Sequence, residues 1–420
     1  MTTKRDYRSF DFLLAILVVC LAVLGIVLIG SATNIHSGAM TSEFKGQIIW
    51  VVTGIIIMLA AAFIDYQFIC KFYIPAYLIN IFLLILVLLV GRFITHDYPY
   101  RSIPIPKLGT IQPSEFNKLF MLIFLARFID SQREKINHPL VLLIIFALTG
   151  VPLILVQLQP SLSASLVTAV IMIVMLFVTK LHYRYFVIGL AIILPIGLIL
   201  LYDVSSASVI TTPTQVEEVT YDSGSAEPIL TSKTIQVVTV EYDPASAAPI
   251  LIDKIMSPYQ IKRLKTFLHP EEDQSSDADY QNRQAMMAIG SGQLSGKGLF
   301  GREVYVPEAQ NDFIFTVLAE EFGFIGCIIT LTIILIIVFR CMIIAQKADI
   351  FYGKLLAGAV GGMIAFQTFA NVGVNTGILP NTGMIFPFIS SGGSAMWVLM
   401  ACIGLVLNVG MTRTKSMFED

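Results

Sequence analysis

The stretch that decides the fold is LVLLIIFALTGVPLILVQLQPSLSASLVTAVIMIVMLFVT, residues 140–179, in which no side chain is charged. A helix needs about 20 predominantly apolar residues to cross the hydrocarbon core of a bilayer. The Gln-Pro-Ser sequence at 159–161 divides the stretch into two segments near that length, 140–158 and 162–179. The pattern therefore predicts two membrane-spanning helices joined by a tight turn.

The composition of the whole chain agrees with this pair. Of the 420 residues, 56% are apolar and 13% are charged, against roughly 25% charged in a soluble domain. So few charges cannot cover the surface of a soluble fold, and the chain also lacks the polar or periodic composition of disordered, coiled-coil and collagen-like proteins. Its net charge of −2 argues against nucleic-acid binding. The sequence predicts an all-α polytopic membrane protein.

Ten apolar runs predict about ten transmembrane helices. They are residues 11–32, 47–66, 72–92, 116–130, 140–158, 162–179, 185–202, 313–341, 353–376 and 385–410. The chain then divides into helices 1–7 (1–202), one large extracellular loop (203–312), and helices 8–10 with a cytoplasmic tail (313–420). Lysines and arginines concentrate in the segments that lie inside if the N-terminus is cytoplasmic, which predicts that both termini are cytoplasmic.

The large loop has two parts of different character. Residues 211–251 alternate between apolar and polar positions and contain a short repeat offset by twenty-one residues, which predicts a β-hairpin or small sheet. This β insert is interpreted as an insertion at the protein surface without a role in the chemistry. The alternative is a flap that binds a partner protein. The segment 253–300 begins with a basic amphipathic stretch at 253–268, typical of a helix lying on the membrane, or of a solvated connector.

Charged residues near the spans are candidates for function, because burying a charge in a membrane is costly. Glu115 and Lys118 lie three residues apart, on one helix face, and are expected to pair. The pair either seats the helix only or also binds a lipid phosphate. Two further acidic groups are Asp312 with Glu320 and Glu321, expected to be at least as structural as catalytic, and the acidic patch at 271–279.

Together the motifs resemble the SEDS family (shape, elongation, division and sporulation proteins), the RodA/FtsW group of peptidoglycan glycosyltransferases. The opening motif and the sequence at 126–128 favour the RodA-like branch. The matching motifs, in the family's order, are Tyr7-Arg8-Ser9-Phe10-Asp11, Gln112-Pro113-Ser114-Glu115 with Lys118, Ala126-Arg127-Phe128, residues 263–273, Ala288–Gly292, Pro307-Glu308, Asp312–Phe315, Glu320–Gly323, Gly377–Gly383 and Phe386–Ser394.

The chain departs from the family pattern at three places. Ser161 stands where the family's QPDLG turn has aspartate, and Ser391 stands where the family has tyrosine. The loop after Asp273 is one residue longer than usual. The family's catalytic aspartate aligns with Asp273 from one side and with Gln274 from the other. Asp273 is chosen because an amide cannot accept a proton.

The resemblance implies that the protein polymerises lipid II into glycan strands at the outer face of the bacterial cytoplasmic membrane, for elongation or division, with inversion at the anomeric carbon. Asp273 would be the general base, with Asp277 and Asp279 as alternates. The implied substrate-binding residues are Glu115, Lys118, Arg101, Gln112, Ser114, Gln284 and Ser390. No organic cofactor is expected, and a divalent ion such as Mg²⁺ or Mn²⁺ is compatible with stabilisation of the pyrophosphate. The implied partner is a class B penicillin-binding protein.

Two other classes of function stay open at this point. A lipid-linked precursor flippase or other secondary transporter would have the same helical architecture, but it would need a polar path through the bilayer. A scaffold that only binds a transpeptidase would tolerate loss of its carboxylates. The charges gather near the predicted outer surface, which favours the polymerase.

Overall fold

A computed structural model of the chain describes residues 3–34, 41–90, 102–105, 109–159, 161–206, 208–221, 228–241, 258–269 and 277–414. Contacts divide the chain into two compact units. The first comprises Met1–Tyr185 and Tyr280–Asp420, and the second comprises Phe186–Asp279.

Each predicted apolar run overlaps a long helix, and the last run does so only in part. The helices are α1 (Phe12–Asn34), α2 (Ser42–Phe63), α3 (Tyr66–Lys71), α4 (Tyr73–Val90), α5 (Pro113–Ser131), α6 (Pro139–Leu158), α7 (Leu162–Val178), α8 (Tyr183–Ser206), α9 (Pro258–Leu268), α10 (Asp277–Ser291), α11 (Ile314–Lys347), α12 (Phe351–Asn375) and α13 (Gly393–Met411). Among the described residues, seven helices are long and apolar enough to cross a membrane. The chain is therefore a multi-pass helical membrane protein. The prediction that it has about ten membrane-spanning helices stays a prediction.

Helix α5 lies inside the first unit. It contacts α4, α6, α7, α12 and α13, and most of its residues are buried. Outer helices such as α4 and α6 instead expose apolar side chains, including Phe82 and Leu143, as expected of surfaces that face lipid. The polar start of α5 is thereby enclosed by protein rather than by hydrocarbon.

The last predicted run, 385–410, is helical only from Gly393 onward. The preceding segment is an irregular loop that side-chain amides hold in place. Asn371 Nδ2 donates to the carbonyl oxygens of Met384 (2.6 Å) and Asp312 (2.8 Å). Apolar composition concealed this loop, because its backbone groups find partners outside a helix, such as Asn371 for the carbonyl of Met384 and Ser390 Oγ for the amide of Phe386.

The two ends of the described chain lie together. Strand β1 (Thr3–Arg5) pairs antiparallel with β6 (Thr412–Thr414), and the amide of Asp6 donates to the carbonyl of Met411 at 2.9 Å. Both ends of the chain are thus on one side of the first unit, as predicted. That this side is the cytoplasm stays a prediction.

Two strands form a short sheet in the first unit, and two longer strands form a hairpin in the second. β2 (Ile103–Ile105) pairs with β3 (Gly109–Ile111), directly before α5. β4 (Ser208–Tyr221) pairs antiparallel with β5 (Pro228–Glu241) over fourteen positions, and Thr211 faces Val238. The sequence-based prediction of a β insert corresponds to this hairpin, which begins three residues before the predicted boundary at 211. The division of the chain into domains stays a prediction.

Candidate functional site

The candidate site begins where α5 enters the helical core. Gln112 occupies the N-cap position and Pro113 the first helical turn, where the missing amide of proline costs no hydrogen bond. The backbone amide of Gln112 donates to Ser394 Oγ, on α13, at 3.1 Å. This contact fixes the entry of α5 and places the next two turns, with Glu115 and Lys118, among the surrounding helices.

Glu115 and Lys118 form the predicted ion pair. Lys118 Nζ donates to both carboxylate oxygens of Glu115, at 2.8 and 2.7 Å. Only 3% of the lysine side chain and 11% of the glutamate side chain are exposed. A buried ion pair persists only when its geometry satisfies both charges. Two donors of the ammonium are used by Glu115, so one N–H is left for a further acceptor.

A chain of polar side chains continues from this pair into the helical core. Asn80 Nδ2 on α4 donates to Asn117 Oδ1, and Asn117 Nδ2 donates to Thr168 Oγ1 on α7, each at 2.8 Å. All three side chains are buried. The sequence analysis missed these residues, although an asparagine inside an apolar run such as 72–92 is itself a signal of function or of polar packing.

Three other predicted residues lie in different surroundings. Ser114 Oγ is buried, and no described group is its hydrogen-bond partner. Gln284 is half-buried on α10. The Ser390 hydroxyl accepts from the backbone amide of Phe386 (2.8 Å) and donates to the carbonyl of Asn311 (2.7 Å). Ser390 therefore helps to hold a loop, and its role in substrate binding stays a prediction.

The remaining predicted residues are outside what the structure describes. Arg101 and Asp273 lie outside the described residues. The alternates Asp277 and Asp279 lie in the first turn of α10, where only the backbone is described. Their roles as base and as phosphate ligand stay predictions.

A second buried charge cluster surrounds Glu320, in the second turn of α11. Its Oε1 atom accepts from Lys297 Nζ (2.8 Å) and from the amides of Glu303 (2.8 Å) and Val304 (3.1 Å). Arg302 Nε lies 3.8 Å from the other oxygen, and both side chains are almost fully buried. Glu320 therefore joins the loop at 297–304 to α11, and the expectation that it is at least as structural as catalytic stays a prediction.

The charges of this cluster affect one another. The hydrogen bond to Glu320 raises the pKa of Lys297 above its ordinary value, against the opposing effect of burial. Burial lowers the pKa of Arg302, and the nearby carboxylates of Glu320 and Glu321 oppose that change. The Glu321 carboxylate accepts a hydrogen bond from Ser31 on α1, so neighbouring glutamates attach α11 to two different parts of the molecule.

Two glycines in the loop before α11 allow a close backbone approach to that helix. A Cβ atom on Gly292 would lie 2.0 Å from the carbonyl oxygen of Ala319, and one on Gly296 would lie 2.1 Å from that of Glu321. The amide of Lys297 donates to the carbonyl of Glu320 at 2.9 Å. α11 kinks here at Gly323, whose φ of 63° favours glycine. These glycines therefore allow the loop to pack against the kinked helix.

A metal site was also considered from the residues that could ligate one. Within the described ranges, no three histidine, cysteine, aspartate or glutamate side chains are grouped so that they could hold a metal ion. A role for Mg²⁺ or Mn²⁺ therefore stays a prediction.

The fold and this site define a multi-pass membrane protein with a buried ion pair at the start of a central helix. Comparison with known families is then decisive. The FTSW_RODA_SPOVE family of cell cycle proteins matches residues 11–228 and 228–415. The chain belongs to this family, as the motifs predicted.

Individual relatives match over nearly their full length. Stage V sporulation protein E of Bacillus subtilis is 30% identical over 97% of this chain and 98% of its own. The peptidoglycan glycosyltransferase RodA of Treponema pallidum is 30% identical over 96% and 98%. The probable peptidoglycan glycosyltransferase FtsW of Trichlorobacter lovleyi is 29% identical over 97% and 95%. Relatives of three named types are about equally similar, so identity does not single out the RodA-like branch.

Solved structures agree on the fold. A chain from a peptidoglycan synthase complex, reported for its coordination of polymerization and crosslinking, superposes with a TM-score of 0.70 at 24% identity and covers 96% of this chain and 97% of its own. The crystal structure of the rod shape determining protein RodA of Thermus thermophilus superposes with a TM-score of 0.60 at 23% identity and the same coverage. At 23–24% identity, these structural similarities show only that the chain shares the fold of these proteins.

Proposed function

We propose that the protein is a peptidoglycan glycosyltransferase that polymerises lipid II at the outer face of the bacterial cytoplasmic membrane. The observation that carries the proposal is its membership of a family whose named relatives match nearly end to end. The buried Glu115–Lys118 pair also supports the proposal, because a buried cation next to the substrate phosphate would stabilise the lipid pyrophosphate as it leaves.

The proposed reaction is a single displacement. The 4-hydroxyl of the acceptor sugar attacks the anomeric carbon of the donor, and its proton passes to the carboxylate of Asp273. The new glycosidic C–O bond forms as the bond to the lipid pyrophosphate breaks, which inverts the anomeric centre, as in single-displacement glycosidases. A positioned base typically contributes ~10²–10⁴-fold to such a step.

Lys118 would act on the leaving group, together with Arg101. Because Glu115 already neutralises the lysine in the free protein, the pair offers a pyrophosphate one N–H and a local dipole instead of a full charge. Negative charge that develops in the transition state would draw the ammonium from Glu115. Such an interaction strengthens as the reaction proceeds, which is the requirement for catalysis rather than tight substrate binding.

The proposal also covers the partner protein, the orientation in the membrane and the cofactor requirement. We propose a class B penicillin-binding protein as the partner, since a structural neighbour comes from a peptidoglycan synthase complex. The distribution of lysine and arginine in the sequence supports cytoplasmic termini. Activity without an organic cofactor is expected, because the lipid pyrophosphate is already an activated leaving group.

The test is polymer formation by the purified protein from labelled lipid II, with Asp273→Asn, Asp277→Asn and Asp279→Asn as variants. We expect glycan polymer from the wild type, a loss of ~10²-fold or more for Asp273→Asn, and mild effects for the other two. Lipid II binding should change little, because the base acts in the transition state.

Each other outcome has a distinct meaning. Near-wild-type polymer from Asp273→Asn would remove that residue, and a selective loss at Asp277 or Asp279 would move the base to that position. Wild-type protein that transfers lipid II between leaflets but makes no polymer would overturn the proposed function in favour of a flippase.

A further inference from the structure

A basic cavity lies at the end of the first unit where the two ends of the chain meet. It has a volume of about 280 Å³ and is lined by the segment before α1, the end of α11 and the end of α13. Its charged side chains are Arg8, Asp11, Arg340 and Lys347. Three cations therefore face one carboxylate.

The single carboxylate is already neutralised. Asp11 Oδ2 accepts from Arg340 Nε (2.8 Å) and pairs with its Nη2 (2.6 Å). Asp11 is buried, so this pair is a fixed part of the wall. Arg8 and Lys347 are exposed, and within the described chain neither side chain has an acidic partner. Among the described residues that line it, the cavity thus keeps two uncompensated positive charges.

An apolar crevice lies on the other side of the same segment. It has a volume of about 530 Å³ and is lined almost wholly by apolar side chains of α1 and α2, with Tyr7, Phe10 and Met411. Phe10 and Phe63 stack there at a centroid distance of 6.3 Å. Phe10 lines both the crevice and the basic cavity, so the two are neighbours along one short piece of chain.

We propose that the basic cavity and the apolar crevice together bind one anionic phospholipid, with its headgroup phosphate between Arg8 and Lys347 and an acyl chain along α1 and α2. Basic pockets between transmembrane helices are suited to anionic headgroups. The site is distant in sequence from the Glu115–Lys118 pair, and the proposal does not depend on the proposed enzymatic function.

The two parts of the site would contribute differently. A lipid tail is as apolar in the bilayer as in a protein crevice, so tail contacts there yield little net driving force and mainly fix the position of the lipid. Selectivity must come from charge, since only an anionic headgroup compensates the two free cations. The site should therefore prefer phosphatidylglycerol to phosphatidylcholine with the same chains.

The experiment is a lipid titration of the full-length protein in detergent, with bound lipids counted by native mass spectrometry. We expect the wild type to bind phosphatidylglycerol ~10-fold or more tightly than phosphatidylcholine, because two cations attract the anionic headgroup. The double variant Arg8→Gln/Lys347→Gln should lose that preference. The matched control Lys71→Gln/Lys180→Gln removes two exposed lysines that the predicted topology places at the same membrane face, and it should keep the preference.

A separate variant tests the contribution of the apolar crevice. Ala15→Trp places a large side chain in the crevice without a change of charge, and it should weaken the binding of both lipids. Millimolar inorganic phosphate should fail to displace phosphatidylglycerol. Equal lipid preference in the Arg8/Lys347 and control variants would overturn the proposal, as would full displacement by phosphate, which would indicate a site for free phosphate alone.

Discussion

The ion pair at the start of α5 permits a test that separates support of the fold from chemistry. The perturbations are Lys118→Met, Glu115→Gln and the two combined. Each single change leaves one group without its partner in surroundings where 3% of the lysine side chain and 11% of the glutamate side chain are exposed. Loss of one partner of a buried pair costs roughly 3–5 kcal/mol, because the other charge is left uncompensated.

The double variant should behave differently from either single variant. With both charges gone, no buried ion is left unpaired, and replacement of a whole pair is often neutral. We expect most of the lost stability to return, which thermal unfolding of the purified proteins in detergent would measure. The coupling energy from this cycle would then be several kcal/mol. For independent sites, the effects of two substitutions add to within about 0.5 kcal/mol, so a value this large would show that Glu115 and Lys118 interact.

Activity should not recover with stability if Lys118 also contacts the leaving group. Removal of one group that stabilises developing negative charge typically costs ~10²–10³ in rate. We therefore expect the double variant to fold nearly as well as the wild type while its polymerisation of labelled lipid II stays ~10²-fold or more below. A double variant that regains both stability and turnover would refute this reasoning and leave Lys118 a purely structural role.

The same helix provides the control pair. Arg127 and Asp130 are also three residues apart and are joined at 2.9 Å, but 39% and 20% of their side chains are exposed. Exposed pairs contribute about 0–1 kcal/mol. Arg127→Met/Asp130→Asn and its two single variants should therefore give a small coupling energy, and a large one would mean that burial is not what gives the first pair its strength.

Two other predictions concern the rest of the chain. Replacement of 211–250 by a short Gly/Ser linker should leave polymerisation largely intact in vitro, and loss of activity in a folded protein would place the hairpin in the site. Glu320→Gln should destabilise the protein by roughly 3–5 kcal/mol, because Lys297 and Arg302 lose their buried counter-charge. Glu303→Gln, where 78% of the side chain is exposed, is its matched control and should cost about 1 kcal/mol or less in thermal unfolding.

The sequence predicted the helices and the local ion pair because both depend on short-range patterns. Apolar runs of spanning length are continuous in the chain, and each overlaps a helix. Glu115 and Lys118 meet because residues three apart on a helix are neighbours, whatever surrounds them. Neither prediction required knowledge of which helices pack together.

The Glu320 network could not be predicted in the same way. Lys297 and Glu320 are 23 residues apart, and Ser31 is 290 residues from Glu321. Their contacts depend on a loop that crosses the kink at Gly323 and on the packing of α1 against α11. The roles of Gly292 and Gly296 could not be predicted either, because they depend on the close backbone approach of the loop to α11.

The loop before α13 and the first turn of α13 contact the segments that begin α11 and α5. The Ser390 hydroxyl holds the carbonyl of Asn311, next to the start of α11, while Ser394 at the other end of the loop receives the amide of Gln112 at the start of α5. Since both hydroxyls are committed to backbone groups, they fix distances between helix starts. A change at Ser394 would therefore reach the Glu115–Lys118 pair through the position of α5, and a change at Ser390 would release the carbonyl of Asn311 next to the start of α11. The family motif at 386–394 is thus explained by its role in holding two helix starts together.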